Sequence, residues 1–239
     1  MQPRIHHRDR PWTWVVKPPG LPAFAPHGNP HGACVLRWLL EDAPWRSEGF
    51  PKGFAGGIAH RLDVSTSGLL LVAEDADSLA AVRSSFAGAR LEKTYRFLTA
   101  RTPTWTKHHV TTPVAHHKTK RRSMIVQRGN DTPHRGKWYA ADTRFVQING
   151  PLWEATITTG VMHQIRVHAA SVGLALWGDS LYGGGHLPDG GAPSGVKYAL
   201  HHASTTGSVE GYPALHAPPL PDPEWWEGLA QKAISTGRT

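Results

Sequence analysis

Cysteine, long apolar stretches and acidic residues are the three things this 239-residue chain has little of. Its one cysteine, Cys34, excludes an internal disulfide and a thiolate metal cluster, and a reducing cytoplasm suits such a chain. No apolar run approaches the roughly 20 residues that a membrane-spanning helix needs. Met1 to Arg10 is polar and basic without an apolar centre, so neither a targeting segment nor a membrane partner is expected. Asp and Glu number 18 against 26 Lys and Arg, which leaves a formal net charge of +8 before any of the 16 histidines is counted. A surface of that sign attracts polyanions, among which nucleic acid is the commonest. The length suits one sizeable core, or two lobes sharing a cleft. Without an internal repeat or low-complexity linker, residues 1–239 read as a single domain, and a monomer is the default expectation.

What is there is organised around residues 60–73, His-Arg-Leu-Asp-Val-Ser-Thr-Ser-Gly-Leu-Leu-Leu-Val-Ala. Charged and small hydroxyl residues followed by an unbroken apolar run predict a polar loop that delivers the chain into a buried strand, with Asp63 on the ledge above it. A carboxylate with a reference pKa of about 3.9 is ionised at neutral pH and serves as nucleophile or base once it is aimed. In an extended segment Arg61 and Asp63 face the same side. The bland alternative is a structural ion pair closing the loop.

This motif resembles the signature of the RluA-type pseudouridine synthases, which isomerise uridine in RNA to its C-glycoside. The resemblance implies an α+β fold, a mixed and largely antiparallel bent sheet with flanking helices and a central active-site cleft. It also implies that Asp63 is the catalytic aspartate. Further segments carry the same likeness. Val-Lys-Pro-Pro-Gly-Leu-Pro at 16–22 is similar to the family's opening strand and turn, which places the start of the catalytic domain almost at the first residue, with no amino-terminal S4-like RNA-binding module expected. Lys93-Thr94-Tyr95-Arg96 matches the second motif, whose tyrosine lines the pocket beside the uracil. Residues 159–168, Thr-Gly-Val-Met-His-Gln-Ile-Arg-Val-His, match the third, whose arginine pairs with the catalytic aspartate, so Arg166 is matched to Asp63. The family usually writes Thr-Gly-Arg-Thr-His-Gln-Ile-Arg there, and Val161 and Met162 depart from it. Gly178-Asp179-x-x-Tyr182-Gly183 continues the likeness, which runs from about Val15 to Pro221.

The implied chemistry breaks the glycosidic bond, turns the uracil and joins C5 to C1′, with no metal, nucleotide or redox cofactor. Asp63 attacks C1′ or removes the C2′ proton, Tyr95 stacks on the base, Arg166 holds Asp63, and Arg61 fills the space of the extruded nucleotide. The RNA partner is ribosomal or transfer RNA.

Local patterns fill in the rest. Trp12 to Val16 predicts a strand, Val35 to Leu40 a short buried helix, and Glu41 to Gly57 a loop. Asp75 or Asp77 caps a helix over Ser78 to Phe86. Leu91 to Ala100 alternates as a strand, with Tyr95 inward. Residues 105–137 are the most basic and least regular part and read as an RNA-contacting arm through Lys118, Lys120, Arg121 and Arg122, with His60, Arg61, His163 and Gln164 as further RNA contacts; a solvated hairpin without a partner fits the arm as well. Gly136–Phe145 and Leu152–Ile157 predict two strands around Asn149-Gly150-Pro151. Gln164 to Val172 predicts a helix closed by Gly173, burying Ile165, Ala169 and Val172. Residues 183–195 read as a mobile glycine-rich loop, Leu200–Ala203 and Leu215–Pro221 as closing strands, and Asp222 as the cap of a terminal helix with Pro223 first.

Two other classes fit parts of the pattern. An RNA-binding protein of the same fold with weak or lost catalysis is motivated by Val161 and Met162. A metal-dependent phosphoesterase using the many histidines is disfavoured because adjacent pairs such as His108-His109 diverge and no His-Glu-x-x-His occurs, so no metal site is expected. The string His-Arg-Leu-Asp is similar to a kinase His-Arg-Asp loop, but the inserted leucine and the missing phosphate-loop glycines argue against it.

Overall fold

The computed structural model describes residues 1–236, with side chains through Lys232. In chain order the elements are β1 (Arg4–Asp9), β2 (Trp12–Lys17), α1 (Val35–Asp42), β3 (Ser67–Ala73), α2 (Ala76–Ala87), β4 (Leu91–Leu98), β5 (Lys107–Val110), β6 (Val114–His117), β7 (Met124–Val126), β8 (His134–Tyr139), β9 (Thr143–Asn149), β10 (Leu152–Ile157), α3 (Gln164–Ser171), β11 (Leu200–Gly207), β12 (Leu215–His216) and α4 (Trp226–Thr236). The class is α+β, as expected. The chain forms two compact units, the first made of Met1–Leu91, Pro193–Val196 and His201–Pro221, the second of the remaining residues.

In the first unit β2 lies between β1 and β3, antiparallel to both. On its far edge β3 takes β11 in parallel, and β12 closes antiparallel on β11. Every residue of β3 is buried, which is what an unbroken apolar run provides: a strand with both faces covered needs no polar alternation. Gly68 is required at the β3–β11 contact. Its φ is +115°, and a Cβ there would stand 2.2 Å from the His202 carbonyl oxygen. The core gathers Trp12 and Trp14 of β2, Leu69 and Leu71 of β3, and Leu79 and Val82 of α2. Each such burial stabilises by roughly 1.5–3 kcal/mol. Asp75 caps α2 through a capping box with Ser78, so that helix starts two residues before the expected Ser78.

In the second unit β4 pairs antiparallel with β10, β10 with β9, and β9 with β5. Along β4 Leu91, Lys93, Tyr95 and Phe97 are buried, as the alternation predicts, and Leu98 at the strand's end is buried with them. A separate three-stranded antiparallel sheet runs β7–β6–β8.

Four expectations need correction. The segment 105–137 is more regular than expected, because it holds β5, β6, β7 and part of β8; strands of 4, 4 and 3 residues are too short to display a period. The single strand expected over Gly136–Phe145 is two, since β8 ends at Tyr139 and β9 begins at Thr143. At the break the Asp142 amide donates to Thr159 Oγ1 and its carbonyl accepts from Gln164 Nε2, so side chains replace the ladder and free the chain to change sheets. Helix α3 is buried from Gln164 through Ala169 rather than along one face. The terminal helix begins at Trp226, not Pro223, and Asp222 faces Arg96 Nη1 at 3.4 Å instead of capping it.

Candidate active site

The Asp63 loop is built from the main chain outward. Ahead of it the chain runs beside β3, where the Ala59 amide donates to the Leu71 carbonyl and the Leu71 amide donates to His60 Nε2. The His60 ring packs edge-on against Phe86 and His202. Residues 63–66 then turn, with the Thr66 amide donating to the Asp63 carbonyl. The carbonyl of Val64, next to Asp63, accepts from the Gly20 amide at 2.8 Å and from Lys17 Nζ at 3.1 Å. The turn is thereby fastened to the Lys17–Gly20 turn that ends β2. Asp63 is half-buried and Arg61 is exposed.

Lys17 is fully buried, and its ammonium group also donates to the carbonyls of Pro18 and Leu21. Burial lowers its pKa to about 7, against which the negative charge of Asp63 works. Below the loop Ser67 Oγ meets His201 Nδ1 at 2.8 Å. His202 donates from Nδ1 to the Leu69 carbonyl while its Nε2 accepts from Thr205. His202 is structural, satisfied at both ring nitrogens beside the β3–β11 contact.

In the second unit Tyr95 points inward from β4 and is buried. Two residues before it, Lys93 is buried, and its pKa falls to about 8 for that reason. Its Nζ lies 3.1 Å from where a Cβ on Gly160 would stand, so the ammonium sits against the loop that leads into α3. That loop ends at His163, in the left-handed conformation at φ 53°.

Side chains of and around α3 carry the geometry. Gln164 is buried, with Nε2 donating to the Asp142 carbonyl and Thr143 Oγ1, and Oε1 accepting from Thr159 Oγ1 and the Val161 amide. All its side-chain hydrogen-bonding capacity is used inside the fold, where it ties the start of α3 to Asp142, Thr143 and Thr159. His168 is fully buried, donates from Nε2 to the Thr112 carbonyl and accepts at Nδ1 from Thr143 Oγ1; burial lowers its pKa. Arg166 makes a bidentate pair with Asp179, Nε to Oδ2 at 2.6 Å and Nη2 to Oδ1 at 2.9 Å, both side chains almost wholly buried. The rings of Tyr198 and Tyr182 lie 4.3 and 5.0 Å from its guanidinium carbon. The Tyr182 hydroxyl in turn accepts from the Met124 amide and meets His163 Nδ1 at 2.9 Å.

Lys118, Lys120, Arg121 and Arg122 are exposed together on the turn between β6 and β7, with Arg122 at φ 63°. Asp179, Tyr198, Lys93 and Lys17 were not picked out from sequence as site residues. Asp179 and Tyr182 stood in a recognised string, but nothing in their spacing ties them to Arg166.

Residues 15–171 match the family described as RNA pseudouridylate synthase. Among curated proteins, the ribosomal large subunit pseudouridine synthase D of Zymomonas mobilis is 33% identical over 172 residues, 71% of this chain and 52% of that protein. A chloroplastic RNA pseudouridine synthase 2 of Oryza sativa is 36% identical over 131 residues, 54% of this chain and 29% of that one. Human RNA pseudouridylate synthase domain containing 1 superposes with a TM-score of 0.68 at 19% identity, covering 98% of this chain and 95% of that one. The fold is that of the pseudouridine synthases. The chain belongs to the RNA pseudouridylate synthase family, and it spans about half the length of the bacterial relative it matches.

Proposed function

We propose that this protein isomerises uridine in RNA to pseudouridine, with ribosomal or transfer RNA as substrate and without a cofactor. The observation that carries the reading is Asp63 itself: a half-buried carboxylate on a turn fastened at the next carbonyl by two hydrogen bonds. Such a group is aimed without a metal.

In the reaction the N1–C1′ bond breaks, the base turns, C5 bonds to C1′, the C5 proton leaves to solvent and N1 takes one up. Asp63 acts at the ribose, as nucleophile at C1′ or as base at C2′. Tyr95 lies along the base and assists loss of the C5 proton. Arg166, stiffened by Asp179, stabilises the ionised Asp63. Arg61 fills the stack once the nucleotide is extruded, a step costing a few kcal/mol.

Tritium release from C5-labelled uridine in bulk cellular RNA tests this. Release by the native protein that vanishes in Asp63→Asn is the expected result; release that persists in the mutant rejects the assignment. A second reading, RNA binding without isomerisation, is favoured by one observation. Val161 packs on an apolar cluster with Met124 and Val167, and Met162 is exposed, where family members carry polar groups. That reading expects salt-sensitive RNA binding and no release from any RNA.

A further inference from the structure

An open hollow of about 370 Å³ lies between β7 and α3, its lining residues belonging wholly to the second unit. Ala170 and the exposed Leu181 give it an apolar floor above the buried Met124 and Val167, and His117, Lys120 and Arg128 stand around it. No carboxylate lines it. Lys120 and Arg128 have no ion-pair partner among the described residues. His117 Nδ1 accepts from the amides of Thr119 and Lys120, which fixes the proton on Nε2 and makes that nitrogen a donor.

Three donors around an apolar floor suit a ligand that is anionic at one end and flat and apolar at the other. A bare anion has no use for the floor, and an apolar ligand has none for the cations. A second hollow of about 320 Å³ abuts the first, sharing Val126, Arg128 and Ser171 and reaching His108 and His109. Two hollows sharing an arginine suit consecutive nucleotides of a chain better than a mononucleotide.

We propose that this track is a subsite for unpaired nucleotides of the RNA substrate other than the target uridine, with bases on Ala170 and Leu181 and phosphates at His117, Lys120 and Arg128. The proposal rests on the RNA-modifying reading above. Bases resting on a flat apolar surface tolerate any sequence, and phosphates held by cations make binding salt-dependent.

The test fills the floor without touching charge. Ala170→Phe is expected to raise KM for RNA about tenfold, by more than any change in kcat, with the salt dependence kept, since displacing the bases leaves the phosphates paired with their cations. Lys120→Ala with Arg128→Ala is expected to raise KM and to flatten the slope of log affinity against log salt by about 0.7 for each phosphate that is no longer neutralised. An Ala170→Phe protein that melts like the native one and keeps its KM overturns the subsite. Photocrosslinking of a 4-thiouridine-containing single-stranded oligouridylate to the native protein gives a measurement independent of any variant. Crosslinks on peptides bearing Ala170 or Leu181 support the subsite, and crosslinks confined elsewhere overturn it. If the native protein forms no pseudouridine, the enzymatic reading fails while the crosslink still decides the subsite.

Discussion

The turn that carries Asp63 and the guanidinium of Arg166 are each fastened, and the bonds that fasten them differ in kind. Around Asp63 the fastening runs through the main chain: the Val64 carbonyl takes a hydrogen bond from Gly20 and another from a buried lysine. Arg166 is fixed through its side chain, by a bidentate carboxylate and two flanking rings. The first arrangement positions a carboxylate by shaping the loop beneath it. The second fixes the guanidinium itself and leaves its charge in one place. A residue that changes during a reaction gains from the first, and one that only sets the field gains from the second.

The sharpest break of this comparison is Asp63→Asn. It should abolish tritium release to background while RNA affinity stays within about twofold, since one uncharged substitution leaves every phosphate-binding cation in place. Asp179→Asn attacks the other side. It takes the carboxylate charge away from a buried guanidinium, and chemical denaturation should show a loss on the order of 3–5 kcal/mol. A loss of activity without loss of stability would contradict the bracing role given to Asp179.

The Lys17 anchor is tested by pH. Its folded pKa is about 7 and its unfolded value about 10.5. Between those values the unfolded chain keeps a proton that the folded chain sheds, so stability from this group rises with pH across the window. Below about 7 both states are protonated and its burial cost is borne in full. Native protein should therefore gain stability relative to Lys17→Met as pH climbs from 7 toward 10; parallel curves would refute the assignment. Tyr182→Phe is the mildest change. It keeps the ring over Arg166 but removes the hydroxyl, costing about 1–2 kcal/mol for two hydrogen bonds, with a small fall in the melting temperature.

Much of this was legible in the sequence where a signal is local. The apolar run at 69–73 announced β3, and the inward alternation announced β4. Partners far apart along the chain were not legible. Asp179 follows Arg166 by 13 residues and a change of direction, and no periodicity connects them. Lys17 looked like one residue of a turn, because its burial depends on the Asp63 loop closing over it. The bracing by Gln164 was hidden for a related reason: its partners at Asp142, Thr143 and Thr159 come from segments that only the fold assembles. The split between β8 and β9 escaped notice because the residues on both sides favour strands.

One consequence follows from how β5 meets β9. Val110 and Thr143 are register partners, so the chain leaves the sheet and returns to it at a single rung, and everything between them is an excursion. His168 of α3 clips both ends, at Thr112 and at Thr143. The excursion is thus hung from one rung, and β7 reaches back from it to α3, where Met124 packs beside Val167, so the small sheet is fixed at its root and along one strand.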